Sequence, residues 1–154
     1  MPAAGLTLSL SYAYLDVPTT TQYDPFSDQN IRIYGVLSPR HTAALSGEYE
    51  FEPSRLGTLR AYVGMKYSGR QNFAGTEYAP APGYRLWDAR LTLSDIPIGS
   101  SRSGLKLSLW GKNLADEEHI VYTMTALDSP PLIQSQIAIY GTPRTFGLDV
   151  TYQY

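Results

Sequence analysis

The sequence predicts an all-β protein: an antiparallel meander of six long strands, curved as part of a transmembrane β-barrel. Three observations support this fold class. Apolar and polar residues alternate over runs of about ten residues, short and long connections alternate between these runs, and the last run ends on an aromatic residue, Tyr154. Ten residues rise about 33 Å, and a tilt near 45° leaves about 23 Å of membrane depth, whereas strands of soluble proteins mostly have about five or six residues.

Each run places apolar residues on one face and polar or small residues on the other, because side chains of a strand alternate with period two. The expected strands cover about residues 5–15, 40–52, 58–70, 84–95, 104–114 and 145–154. The last of them shows the alternation most clearly, with apolar positions at Phe146, Leu148, Val150, Tyr152 and Tyr154. The residues expected to face lipid are Leu6, Leu8, Leu10, Leu45, Leu59, Val63, Leu91, Leu107, Leu109, Leu148 and Val150.

The connections between the runs predict the orientation of the sheet. Residues 53–57 and 96–103 form short connections, and residues 16–39, 71–83 and 115–140 form longer ones. Since short and long alternate, a meander brings all the long connections to one end, which in bacterial barrels is the extracellular end. We expect these long connections to lack regular structure and to contact a ligand. The aromatic candidates are Tyr23, Phe26, Tyr34, Tyr78 and Tyr122.

Composition and motifs exclude several classes of function. The 154 residues contain no Cys and carry a formal net charge of −2, so a disulfide framework and a nucleic-acid partner are not expected. The two histidines, His41 and His119, are isolated and predict no metal site. A phosphate-binding glycine loop and a nucleophile elbow are absent, so we expect neither a cofactor nor an enzyme. Because the chain enters a strand almost at once without a signal peptide, we expect it to begin inside a larger protein.

Two short motifs stand on either side of the third long connection. Asn113, Leu114 and Asp116 end the fifth run, and Gly141, Pro143 and Arg144 precede the sixth. Farther upstream, a Pro-Arg-His sequence at residues 39–41 begins the second run. These motifs, in this order and followed by an alternating strand that ends on an aromatic, resemble the C-terminal part of TonB-dependent outer-membrane receptors. The resemblance covers nearly the whole chain.

The resemblance implies a fold and a function. Residues 1–154 would be the last six strands of a barrel of 22 strands, the size of outer-membrane transporters with a plugged lumen, without the plug and the remaining strands. Such receptors sit in outer-membrane lipid and import scarce nutrients, most often ferric siderophores. Energy reaches them from TonB through the plug, which we expect to lie outside these 154 residues. The closing residues Val150, Tyr152 and Tyr154 look like the signal read by the barrel-assembly machinery.

Other interpretations stay open at the level of sequence. The chain could belong to another outer-membrane barrel, either an autotransporter translocator or a barrel enzyme, or to a soluble β-sandwich binding module whose core is the apolar face. We interpret Asn113 and Asp116 as satisfying backbone groups at the strand end rather than touching ligand. Arg144 is a candidate to pair with a carboxylate that the sequence does not identify. Glu48 and Glu50 are interpreted as part of a solvated lumen wall.

Overall fold

The computed structural model of the protein describes residues 4–73, 80–97, 104–127 and 134–153, and the statements below concern these residues. They form ten strands, namely β1 (Leu6–Tyr14), β2 (Thr20–Asp24), β3 (Gln29–Ile33), β4 (His41–Glu50), β5 (Thr58–Ser68), β6 (Tyr84–Pro97), β7 (Gly104–Lys112), β8 (Ile120–Leu127), β9 (Gln134–Tyr140) and β10 (Thr145–Gln153). None of the described segments is a helix long and apolar enough to cross a membrane.

Six strands make one open antiparallel sheet in the order β1-β4-β5-β6-β7-β10. This confirms the predicted meander, since each long strand pairs with the next long strand along the chain. The six predicted segments and the observed strands differ by only a few residues at their ends. The connection at residues 98–103 lies outside the described residues.

The expectation that the long connections lack regular structure is wrong for two of them. In the connection that joins β1 to β4, strands β2 and β3 pair with each other. In the connection that joins β7 to β10, β8 pairs with β9. Each hairpin stands apart from the main sheet. Neither β2 nor β3 has a buried residue, so no apolar face constrains their sequence pattern. Alternation, which detects strands with one apolar face, therefore gives no signal for them.

Cross-strand pairing places all the residues predicted to face lipid on one side of the main sheet, which we call the outward face. Leu10, Leu45, Met65 and Trp87 lie opposite one another on four successive strands. Residues directly opposite each other in a ladder point to the same side. A second row crosses all six strands through Leu6, Tyr49, Ala61, Leu91, Leu109 and Leu148.

The large apolar side chains of this outward face remain exposed. Leu10 is 75% exposed, Leu8 67% and Leu148 66%, although all three belong to regular strands. Among the described residues only Phe73 and Ala81 are buried hydrophobics, and both lie in a long connection rather than in the sheet. An apolar surface of this extent needs an apolar environment to cover it.

The opposite face of the sheet, here called the inward face, is polar. One row contains Glu50, Arg60, Thr92, Ser108 and Asp149 on five successive strands. Arg60 Nε lies 2.6 Å from Glu50 Oε2, and the hydroxyl oxygens of Thr92 and Ser108 are 3.1 Å apart. A depression of about 340 Å³ on the same face is lined by Glu48, Tyr62, Asp88, Ala89, Arg90, Trp110, Gly111 and Lys112.

Two glycines let aromatic rings pack against the backbone where β10 joins the sheet. A Cβ at Gly147 would collide with the Trp110 indole, its cross-strand partner on the inward face. A Cβ at Gly111 would meet Phe146 at 2.9 Å and Leu114 at 2.7 Å. Aromatic rings over glycines help to fix the register of neighbouring strands. These contacts hold the terminal strand in the register that keeps its apolar residues outward.

Candidate ligand-binding edge formed by the long connections

The long-loop edge consists of the described residues between β1 and β4, between β5 and β6, and between β7 and β10. All of these segments leave the same end of the main sheet because the meander alternates direction. A corner held by several hydrogen bonds follows β7 at this edge. It contains Asn113, which is 4% exposed and has a positive φ of 49°.

Asn113 satisfies backbone groups from two segments. Its Nδ2 donates to the carbonyl oxygens of Glu117 at 3.0 Å and Thr142 at 3.2 Å, and its Oδ1 accepts from the Glu117 amide at 2.9 Å. The Asn113 amide in turn donates to Asp88 Oδ1 at 3.0 Å. Asparagine suits this position because its short side chain tolerates the left-handed region and bonds locally. The side-chain amide of Asn113 thus connects the end of β7 to the segment that precedes β10.

Asp116 and Arg144 connect the same two segments a second time. The Arg144 amide donates to Asp116 Oδ1 at 2.9 Å, and its guanidinium lies 3.6 Å from Asp116 Oδ2. Asp116 is therefore the carboxylate partner of Arg144 that the sequence left unidentified. Gly141 lies against the His119 imidazole, so closely that a Cβ would collide with the ring. The structure thus brings together Asn113, Leu114, Asp116, Gly141, Pro143 and Arg144 at one corner.

The other long connections also contact one another at this edge. Val36 forms a parallel bridge with Asn72, and the Leu37 amide donates to the Asn72 carbonyl at 2.8 Å. Phe73, the next residue, makes an edge contact with Tyr122 of β8 at 6.2 Å between ring centroids. Segment 70–73 therefore touches both the connection before β4 and the hairpin of β8 and β9. Sequence analysis did not select Phe73, although it is the one large apolar residue in an otherwise polar stretch.

The β2–β3 hairpin is shaped by its turn. The Asp24 carboxylate accepts from Ser27 Oγ at 2.7 Å and from the Phe26 amide at 3.0 Å, and these bonds lower the pKa of Asp24. The Tyr23 hydroxyl donates to Asp28 Oδ1 at 2.7 Å, which raises the pKa of Tyr23. Phe26 stands at the tip with 98% of its surface exposed. The turn is therefore held by side-chain hydrogen bonds, and the aromatic ring of Phe26 at its tip is not covered by other residues.

The predicted ligand-loop residues occupy different parts of this edge. Tyr23 and Phe26 belong to the β2–β3 hairpin, and Tyr122 belongs to β8. Tyr34 is half-buried and lines a small cleft together with Ser38, Arg70 and Asn72. Tyr78 lies outside the described residues, as does Tyr154 of the closing strand. The structure thus links Tyr34 and Tyr122 through segment 70–73 and leaves Phe26 projecting on its own hairpin.

Comparison with known proteins decides the family. The chain matches a protein-family model described as TonB dependent receptor-like, beta-barrel, over residues 3–114. This match spans more than half of the chain and includes every strand from β1 to β7. The chain belongs to this family. No curated protein and no solved structure matches it.

Family membership identifies the environment that covers the exposed apolar side chains of the outward face. The TonB-dependent receptor barrel is a protein of the bacterial outer membrane, so the outward face contacts lipid and the inward face lines the lumen. The family carries out TonB-dependent transport and consists of transporters rather than enzymes. This resolves the alternatives in favour of a receptor barrel over an autotransporter translocator, a barrel enzyme or a soluble sandwich. The matched range ends at residue 114, before Asp116 and the Gly-x-Pro-Arg motif.

Proposed function

We propose that the chain forms the closing six strands of a 22-stranded outer-membrane receptor that binds and imports a ferric siderophore. A plug domain upstream of these strands would occupy the lumen and pass on the energy supplied by TonB. The cargo class follows from the family resemblance, in which siderophores are the most frequent nutrient. The observation that carries a binding role is the convergence of all three long connections at one edge of the sheet.

The contacts of this edge support a ligand-gathering role. Segment 70–73 holds the neighbouring connections together, so the loops form a connected surface rather than separate strands of chain. Exposed aromatic rings such as Phe26 and Tyr23 supply contact area while losing few rotamers on binding. Arg32 and Arg70 are also exposed in this part of the chain. Aromatic and guanidinium groups suit the delocalised, negatively charged chelating groups of ferric siderophores.

The β2–β3 hairpin offers a clean test, because its pairing runs from Thr20↔Ile33 to Asp24↔Gln29 without contributing to the main sheet. Replacing residues 20–33 of the full-length receptor by a short glycine linker should weaken binding of ferric siderophores and leave barrel assembly unchanged. Binding is measured with a panel of radio-iron hydroxamate and catecholate complexes on cells without TonB, which separates binding from uptake. Haem and cobalamin serve as competing probes.

Phe26→Ala is the corresponding point variant, and Leu56→Ala is its matched control. Leu56 is 71% exposed but belongs to the short connection at the opposite end of the sheet. We expect Phe26→Ala to weaken ferric siderophore binding by about 5-fold to 10-fold, as loss of an aromatic contact worth roughly 1 kcal/mol or slightly more implies. Leu56→Ala should not change it. Binding of haem or cobalamin in place of the siderophores would reject the proposed cargo.

We also propose that Val150, Tyr152 and Tyr154 are read by the barrel-assembly machinery. Val150 and Tyr152 lie outward on β10, opposite Leu107 and Leu105. The free edge of β10 in this sheet invites wrong pairing until another strand covers it, which supports a need for early recognition. Tyr154→Ser should lower the amount of receptor in the outer membrane, while inserted copies bind ligand normally. Normal surface abundance of this variant would refute the assembly role.

A further inference from the structure

Two basic side chains stand one above the other on the inward face, directly below the long-loop edge. Lys66 belongs to β5, and its register with β4 and β6 places it inward. The pairing of the β5 and β6 segments continues without a shift from Ser68↔Tyr84 to Gln71↔Ala81, so Arg70 lies on the same inward side as Lys66. Four residues separate them, or about 13 Å along the strand. We call Lys66 and Arg70 the basic column.

The charges of the basic column are not paired within the described part of the chain. Both side chains are exposed, and neither forms an ion pair with a described residue. Three other arginines each lie within 4.0 Å of a carboxylate, in the pairs Arg40–Asp16, Arg60–Glu50 and Arg144–Asp116. Asp88 lies one step below Lys66 on β6 and accepts a hydrogen bond from the Asn113 amide at 3.0 Å. The column therefore offers two positive charges to a ligand.

The space beside the basic column contains little opposite charge. A cleft of about 530 Å³ next to Lys66 includes the hydroxyl-bearing Ser68 but no carboxylate. A second cleft of about 320 Å³ lies between Arg70 and Tyr34, and its other lining residues are also uncharged. Glu117 lines a third cleft together with Arg70, so it can offset at most one of the two positive charges.

Unpaired cations at a binding site select the charge of the ligand. A chelate that covers Lys66 and Arg70 removes part of their hydration, and only an anionic chelate compensates this loss through charge-assisted hydrogen bonds. Ferric iron bound by catecholates or hydroxycarboxylates keeps a net negative charge, whereas three hydroxamates neutralise it. An aromatic loop residue such as Phe26 can pack against either kind of chelate, so the discrimination comes from the basic column.

We propose that Lys66 and Arg70 determine the charge class of the cargo and bind an anionic oxygen chelate of ferric iron. This inference rests on the proposed import of a siderophore and narrows its cargo to the catecholate or hydroxycarboxylate kind. The β5–β6 pairing fixes the column, and the Val36–Asn72 bridge connects its upper end to the neighbouring connection. The chelate would thus be held against the wall at the entrance of the lumen, below the hairpins.

The test measures binding to cells that make the full-length receptor without TonB. The probes are a ferric tris-catecholate, ferric citrate and a neutral ferric trihydroxamate. Lys66→Gln and Arg70→Gln should each weaken binding of the anionic chelate about 5-fold, and together about 25-fold, which is the upper range for solvent-exposed ion pairs. Raising the salt from about 0.1 M to about 1 M shortens the Debye length from about 10 Å to about 3 Å, and should weaken wild-type binding more than that of the double variant.

Arg85→Gln is the matched control, because Arg85 lies at the same level of the sheet but outward, opposite Tyr67. It should leave binding unchanged. Arg70→Lys conserves the charge and should keep most of the affinity. Folding of every variant is checked by its heat-modifiable mobility and by its unfolding midpoint without cargo.

Tighter binding of the neutral trihydroxamate than of the anionic chelates would overturn the inference and leave siderophore import standing, as would wild-type affinity in Lys66→Gln/Arg70→Gln. Equal losses in Arg85→Gln would show a general effect of surface charge and also overturn it. A lower unfolding midpoint of the cargo-free double variant, with unchanged salt dependence of binding, would show that the cations pair with the plug instead. Binding of haem or cobalamin in place of every chelate would reject the proposed function itself, and this inference with it.

Discussion

Leu45→Arg tests the assignment of the outward face most directly. Leu45 lies near the middle of β4, is 45% exposed, and has Leu10 and Met65 opposite it on the two flanking strands. Because both flanking strands are present, its surroundings within the sheet are complete. In the membrane the remaining exposed surface of Leu45 would touch hydrocarbon. An arginine there must either lose its hydration or draw water and head groups into the bilayer.

The expected loss of folding free energy depends on how deep the arginine lies in the bilayer. Arginine on the lipid face of a barrel costs roughly 2–4 kcal/mol near the midplane, which corresponds to a loss of roughly 30-fold to several hundred-fold in the folding equilibrium. Ser46→Arg is the matched control, one residue along the same strand. Ser46 faces the lumen, with the small residues Ser9 and Gly64 opposite it on the two flanking strands. Its cost should stay below about 1 kcal/mol, as for surface positions elsewhere.

The assay is urea unfolding of the full-length receptor in lipid vesicles, followed by tryptophan fluorescence, with both variants compared with wild type. If Leu45 faces lipid and Ser46 faces the lumen, the two arginine variants should differ strongly in unfolding free energy, although the substituted positions are neighbours in sequence. Equal losses of unfolding free energy for Leu45→Arg and Ser46→Arg would refute the assignment of faces. A larger loss for Ser46→Arg would show that the sheet is inverted relative to the membrane.

Three further predictions concern the packing of the corner, the closing strand and the hairpin turn. Asn113→Gly should lower the unfolding free energy by about 2 kcal/mol or more, because buried backbone groups lose their partners. Glycine tolerates the positive φ, so this variant removes only the side chain. An unchanged denaturation midpoint would show that the Asn113 side chain does not stabilise the corner. Gly147→Val should cost about 1–3 kcal/mol in the same assay through overlap with Trp110, whereas Gly104→Val, with no atom within 4 Å of its Cβ, should cost much less. The hydrogen bonds that lower the pKa of Asp24 are fully formed above its ordinary value of 3.8 and are lost as pH falls through the lowered pKa. Hydrogen-exchange protection of the Phe26 amide should drop in that lower range, and Asp24→Ala should remove the pH dependence.

The main sheet was predictable because its strands carry a strong local signal. A strand between lipid and a wet lumen must alternate over its full length, and the alternation in residues 145–153 or 58–68 identifies both strand and face. The two hairpins were not predictable in this way. The strands β2 and β3 have no buried residue, so turn chemistry such as the Asp24 bonds specifies that hairpin instead. The Asn113 corner was recognisable as a motif, but its partners Thr142 and Asp88 were not.

The sequence by itself determined the class, order and facing of the six long strands, since side-chain periodicity is a property of neighbouring residues. Only the tertiary structure decided which distant residues meet. It paired Arg144 with Asp116, brought Phe73 onto Tyr122, and placed Val36 beside Asn72. These contacts join residues from different connections, and the distance between them depends on sheet register and loop path. A local pattern contains neither quantity, so the contacts within the long-loop edge could be found only after the strands were in register.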